Sequence, residues 1–199
     1  MRRLTLPLAA AALLAAASYP VLALAAPRES PAPASSPSTS AARVALDDAT
    51  IVAIFDAANT ADIETGDLAA QRGQSKEVRD LGAMFARDHR TVRQQGRDLA
   101  KKLGVTPTPP KDDQSAKEQA ATMAALRSKH GVDFDKAYLE HEVAFHEAVL
   151  DAIDAQLLPA IQNEELKSLV EKVAPAFKAH MLAAQSLDKK LFGERASSK

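Results

Sequence analysis

Apolar residues recur along the chain at the three- and four-residue spacing of amphipathic helices, and no β-rich run competes with that pattern. Residues 138–150 show it most clearly. At about 100° per residue, Phe134, Tyr138, Leu139, Val143, Phe145, Val149, Leu150, Ile153 and Leu157 share one half of a helical wheel. Glu142 and His146 fall in the middle of that apolar arc, whereas Glu140, Glu147, Asp151 and Asp154 fall opposite it. A carboxylate and an imidazole one turn apart and both aimed at a core need a partner, a hydrogen bond or a metal, because unpartnered burial costs several kcal/mol.

The same periodicity predicts three further long helices. The first runs from Asp47 or Asp48 to about Gln71 on a stripe of Ile51, Phe55, Ala58, Asp62, Gly66 and Ala69. Asp62 is its inward acid by phase, with Glu64 as the alternative if the stripe drifts near Gly66. The second spans Ser75 to Leu103 and stops at Gly104 and the run Pro107-Thr108-Pro109-Pro110; its buried face carries His89, with Asp88 at the edge. Residues 112–129 form a shorter, peripheral helix. The next long helix starts behind an Asp133 cap and ends before Pro159, and the last covers Asn163 to Phe192 with His180 near its stripe and a kink expected at Pro175. Four long amphipathic helices make an all-α, up-and-down four-helix bundle, with the short helix inserted between the second and third.

The ends of the chain read differently. Arg2 and Arg3, an apolar run from Leu4 to Ala17 and the site Ala23-Leu24-Ala25 form a cleavable signal peptide over residues 1–25. Residues 26–46 are a Pro-, Ser- and Ala-rich linker with nothing to bury, and residues 193–199 a disordered tail around the 47–192 domain. Removing the leader leaves 23 basic and 26 acidic side chains, a net charge of −3 without a basic cluster, which argues against nucleic acid as a partner. No later stretch is apolar enough to span a bilayer, so the mature protein is expected in the periplasm. With no cysteine there is neither a thiol nucleophile nor a disulfide, and a hydrophobic core must supply the stability. No Gly-x-Ser-x-Gly elbow or phosphate-cradling loop is present, which disfavours an enzyme of the hydrolase or nucleotide-dependent kinds.

What remains is the inward polar set. Asp62, His89, Glu142, His146 and His180 give every long helix at least one such residue, a ligand set suited to iron, zinc, copper or nickel. The alternative is a hydrogen-bonded core network without a metal, Glu142 and Asp88 holding histidines, in an envelope module that binds a protein partner through a helical surface. The paired Glu-x-x-His spacing of di-iron bundles is absent, because Ala86 and Val143 stand where the glutamates would be.

Several of these segments together carry a resemblance: Ala61-Asp62-Ile63-Glu64-Thr65-Gly66, Met84-Phe85-Ala86-Arg87-Asp88-His89, Phe134-Asp135-Lys136-Ala137-Tyr138, His146 and His180. Over roughly residues 47 to 192 the chain resembles the domain-of-unknown-function 4142 family of exported bacterial proteins. Its members are similar to ferritin-like four-helix proteins and are often labelled predicted outer-membrane proteins, although no membrane-strand signature is present here. The resemblance implies a periplasmic helical bundle. It matches His89, Tyr138 and His146, takes Glu64 as the acid of the first helix where periodicity favours Asp62, and implies no activity.

Overall fold

The computed structural model describes residues 46–193, so the expected leader, all but the last residue of the expected linker and residues 194–199 lie outside the described residues. Helix α1, Asp48–Arg72, begins where the Asp47 carboxylate accepts the Thr50 N–H at 2.8 Å. Ser75 opens α2, Lys76–Leu103, in the same way, and Gly104 closes it in the left-handed conformation, at φ +67°, that only glycine adopts without strain. The short α3 spans Ser115–Arg127. Helix α4, Gly131–Ala152, runs on through a π-helical turn, Ile153–Leu157, into the three-residue α5, Leu158–Ala160. Asn163 then caps α6, Glu164–Phe192, which continues through the exposed Pro175.

Two sequence expectations shift locally. Helix α4 starts at Gly131 rather than behind Asp133, and His130 occupies its N-cap position, with Nδ1 3.1 Å from the Arg72 guanidinium. Phe145 is only half-buried, since the buried face centres on Asp135, Tyr138, Leu139, Glu142 and His146.

The protein is an all-α bundle of four long helices with the extra short helix between the second and third. Helix α1 packs against α2 and α4, and α6 packs against α2 and α4, which closes a ring of four. The α1–α2 and α4–α6 connections are short. The middle connection is a crossover: Thr108 bonds to Ala49 at one end of α1, Gln119 reaches Ala61 and Glu64 at its middle, and Arg127 meets Arg72 at its far end. Consequently α2 and α4 point the same way on opposite corners, every neighbouring pair in the ring is antiparallel, and α3 lies outside. At the far end the Asp135 carboxylate accepts the backbone N–H groups of Gln74 and Ser75 at 2.7 and 2.8 Å, tying α4 to the α1–α2 turn.

The core is divided. One apolar cluster joins Ile51, Val52 and Phe55 to Ile153, Leu166, Val170, Val173 and Phe177; the other joins Leu68, Val78 and Phe85 to Phe134, Tyr138, Leu139 and Ala184. Apart from Asp135 at the far end, the buried polar residues of all four helices fall between the two, with Asn59, Asp62 and Thr65 on α1, His89 on α2, Glu142 and His146 on α4 and His180 on α6. The four helices therefore place their polar positions at one height. No helix among the described residues is long and apolar enough to cross a membrane.

Candidate metal centre

All five residues singled out in the sequence meet in this polar layer. One ligand atom from each of His89, His146 and His180 lies within 4.8 Å of the other two, and the same holds for Asp62, Glu142 and His146. Asp62 is the inward acid of α1, while Glu64 is exposed and bonds to Gln119 of α3 at 2.9 Å. Phase on the helix decides this: residues 62 and 64 stand about 200° apart, so only one can face the core.

The hydrogen bonds around the ring of imidazoles fix which nitrogen of each carries its proton. The Asn59 amide nitrogen donates to the Phe55 carbonyl at 2.8 Å, leaving Asn59 Oδ1 to accept from His89 Nδ1 at 2.9 Å. His146 Nδ1 donates to the Glu142 carbonyl at 3.0 Å. His180 Nε2 faces the Asp88 carboxylate at 3.3 Å, an acceptor only, and so holds the proton. In every ring the outer nitrogen is spent, and the inner one, His89 Nε2, His146 Nε2 or His180 Nδ1, keeps its lone pair. His89 Nε2 and His180 Nδ1 stand 3.2 Å apart, and His146 Nε2 is buried with no partner. Two imidazole nitrogens bound to one tetrahedral ion at about 2.0–2.1 Å are separated by about 3.3 Å, close to the spacing seen.

A carboxylate stands behind each ring as well. Asp62 lies 3.5 Å from His89 Nδ1, Glu142 lies 3.5 Å from His146 Nδ1, and Asp88 holds His180. This is the outer shell that orients imidazole ligands and raises their basicity. Phe177 stacks on His89 and Phe85 on His180, at centroid distances of 5.1 and 4.4 Å, so the rings are held flat against apolar walls.

Burial sets the protonation of the layer. It pushes His89 down to about 2 and His146 down to about 3, aided at both by neighbouring imidazoles, and lowers His180 despite the opposing pull of Asp88. His89 and His146 thus stay neutral and ligand-competent well below the pH of about 6 to 6.5 at which unperturbed histidines would take up protons. The carboxyl groups move the other way: burial, and then mutual repulsion, raises Asp62 well above its usual range, and burial raises Glu142 to about 7 against the pull of the Thr65 hydroxyl, which donates to it at 2.9 Å. Asp62 Oδ1, Glu142 Oε2 and the Tyr138 hydroxyl are buried without hydrogen-bond partners. Burial, with the two carboxylates beside it, also keeps the Tyr138 phenol protonated.

In the metal-free protein the carboxyl groups and the imidazoles pull stability in opposite directions with pH. Glu142 is raised in the folded state, so its contribution is complete below about 4.5 and is lost as pH rises through about 7; the lowered histidines act in the opposite sense. Glu142→Gln removes only the first effect. The stability of the variant relative to the unmodified protein should therefore rise by about 1 kcal/mol between pH 6.5 and 8. Urea denaturation at both values in the presence of a chelator measures it, and parallel behaviour would show that Glu142 ionises as though exposed.

Asn59 and Thr65 escape a reading by hydrophobic stripe, because a polar residue on a buried face gives no sign of what it bonds. The one available signal is position, since Asn59 and Thr65 lie one turn either side of Asp62. Comparison with known proteins adds the family. No curated protein and no solved structure matches the chain. A family model described as a domain of unknown function, DUF4142, matches residues 33–187, covering α1 to α5, α6 as far as Leu187 and every residue of the polar layer. The chain belongs to the DUF4142 family.

Proposed function

We propose that the protein is a periplasmic metal-binding bundle that holds one divalent transition ion on His89, His146 and His180, with Asp62 and Glu142 beside it to balance its charge. The observation that carries this reading is the direction of the lone pairs: three imidazoles, each with its outer nitrogen occupied, turn unprotonated nitrogens toward one another in the buried interior. A hydrogen-bonded core network would pair a donor with each of those acceptors. Here His89 Nε2 and His180 Nδ1 meet as two acceptors, and a cation between them removes the repulsion. Nitrogen and carboxylate donors without sulfur suit zinc, iron, nickel or copper(II) over copper(I), calcium or magnesium. The periplasmic placement rests on the leader pattern of residues 1–25.

Elemental analysis of untagged protein recovered from the periplasm, followed by equilibrium titration of the demetallated protein with zinc and cobalt(II), tests the proposal. One ion per chain, held at micromolar or lower free metal, is expected. Absence of saturable binding at micromolar metal would overturn it and favour the partner-binding module.

A further inference from the structure

Three of the four seams around the polar layer are closed. Helix α3 lies over the α1–α4 seam, with Gln119 bonding to the Ala61 carbonyl and to Glu64 on either side of Asp62. The α1–α2 seam is sealed by direct backbone approach at Gly66 and Gly82, where a Cβ on Gly66 would stand 2.7 Å from the Gly82 carbonyl oxygen. Helices α4 and α6 are joined by both apolar clusters, above and below the site. The α2–α6 seam is different: beside the Phe85–His180 and Phe177–His89 stacks it carries a polar contact at the height of the polar layer, His180 to Asp88, that reaches the surface.

Exposure is graded along that contact. The side chains of Glu142, His146, His89 and Asp62 are at most 4% exposed; His180 is 8% exposed, Asp88 36% and Arg87 70%. Arg87 bonds to Asp88 from the solvent side at 2.8 Å. An ordered path thus leads from water to the inner nitrogens, through a carboxylate masked by a guanidinium and then through the outermost imidazole.

Resting on the metal-binding reading above, we infer that Asp88 and His180 form the loading port of the site: Asp88 captures the hydrated cation at the rim by exchanging it for Arg87, and the His180 ring, released from Asp88 as the ion binds there, swings to admit it to the inner nitrogens. Asp88 is in this account a positioning and capture residue, and the ion's final ligands are the three imidazoles. Capture by a half-exposed carboxylate controls how fast the ion arrives, because local charge acts on association rates. Holding the His180 ring would instead control how fast the ion leaves. The two roles are separable in kinetics.

Asp88→Asn keeps an acceptor for His180 Nε2 and removes the charge, whereas Arg87→Ala removes the competing cation. Stopped-flow mixing of demetallated protein with cobalt(II), followed by its visible absorption, should show association slowed about tenfold in Asp88→Asn and quickened about threefold in Arg87→Ala. Dissociation into excess chelator should rise less than threefold in either. Unchanged association in both variants with faster release from Asp88→Asn would overturn the port and leave Asp88 as a tether for the ring. Failure of the unmodified protein to take up cobalt would overturn the metal reading itself, a result recognisable before either variant is made. Circular dichroism of both variants, which alter partly exposed side chains, verifies that the bundle is intact.

Discussion

His146→Ala should lower the affinity of the demetallated protein for zinc or cobalt(II) more than about 100-fold, against less than about twofold for His130→Ala. Loss of a ligand costs more than the roughly tenfold to 100-fold that follows loss of an outer-shell partner. His146 is singled out because its Nδ1 is committed to the Glu142 carbonyl, its Nε2 is the buried nitrogen with no partner, and it belongs to both groups of converging donors. His130 is exposed beside Arg72 at the end of the bundle and meets none of the other histidines. Because truncating a fully buried ring also leaves a cavity, His146→Gln supplies a variant closer in volume whose amide oxygen is a weaker donor to a transition ion than an imidazole nitrogen. Isothermal titration of the three variants measures the effect. Equal affinities for His146→Gln and His130→Ala would mean that the ion is held elsewhere.

The stripe on each helix was enough to bring out Asp62, His89, Glu142, His146 and His180, because inward direction is a property of phase and phase is written in residue spacing. Their common height was not legible. It depends on how far each helix slides along its neighbours, which is set by caps and turns such as Asp135 on Gln74 and Ser75, a contact between residues about 60 apart in the chain. The crossover through α3 was hidden for the same reason: residues 112–129 show a helix with few large apolar side chains, and nothing in that pattern says which seam it covers. Glu64 illustrates the limit of resemblance, since matching a position does not turn its side chain inward, and the helical phase that separates it from Asp62 does.

Gly82→Ala should destabilise the bundle by about 2 kcal/mol although it installs a better helix former. In an unobstructed helix the exchange gains up to about 1 kcal/mol. Here a Cβ would stand 2.7 Å from both the Ala69 Cβ and the Gly66 carbonyl oxygen, and 3.0 Å from the Ala70 nitrogen. Two of those obstacles are backbone, so α1 and α2 must part, and overpacking of this kind costs about 1–3 kcal/mol or more. Gly96→Ala is the control, since its Cβ would meet only the edge of the Phe55 ring at 2.9 Å, a side chain that can turn, and its net effect should stay within about 1 kcal/mol. The consequence reaches the polar layer. Gly66 is one turn from Asp62 and Gly82 two turns from His89, so widening this seam moves a carboxylate and an imidazole without altering either. Thermal melts should therefore show Gly82→Ala lowered by about 4–8 °C, and cobalt(II) titration of the same variant should show weakened binding. Gly96→Ala should retain full affinity, and a Gly82→Ala protein as stable as the unmodified one would mean that the α1–α2 approach is looser than the backbone positions imply.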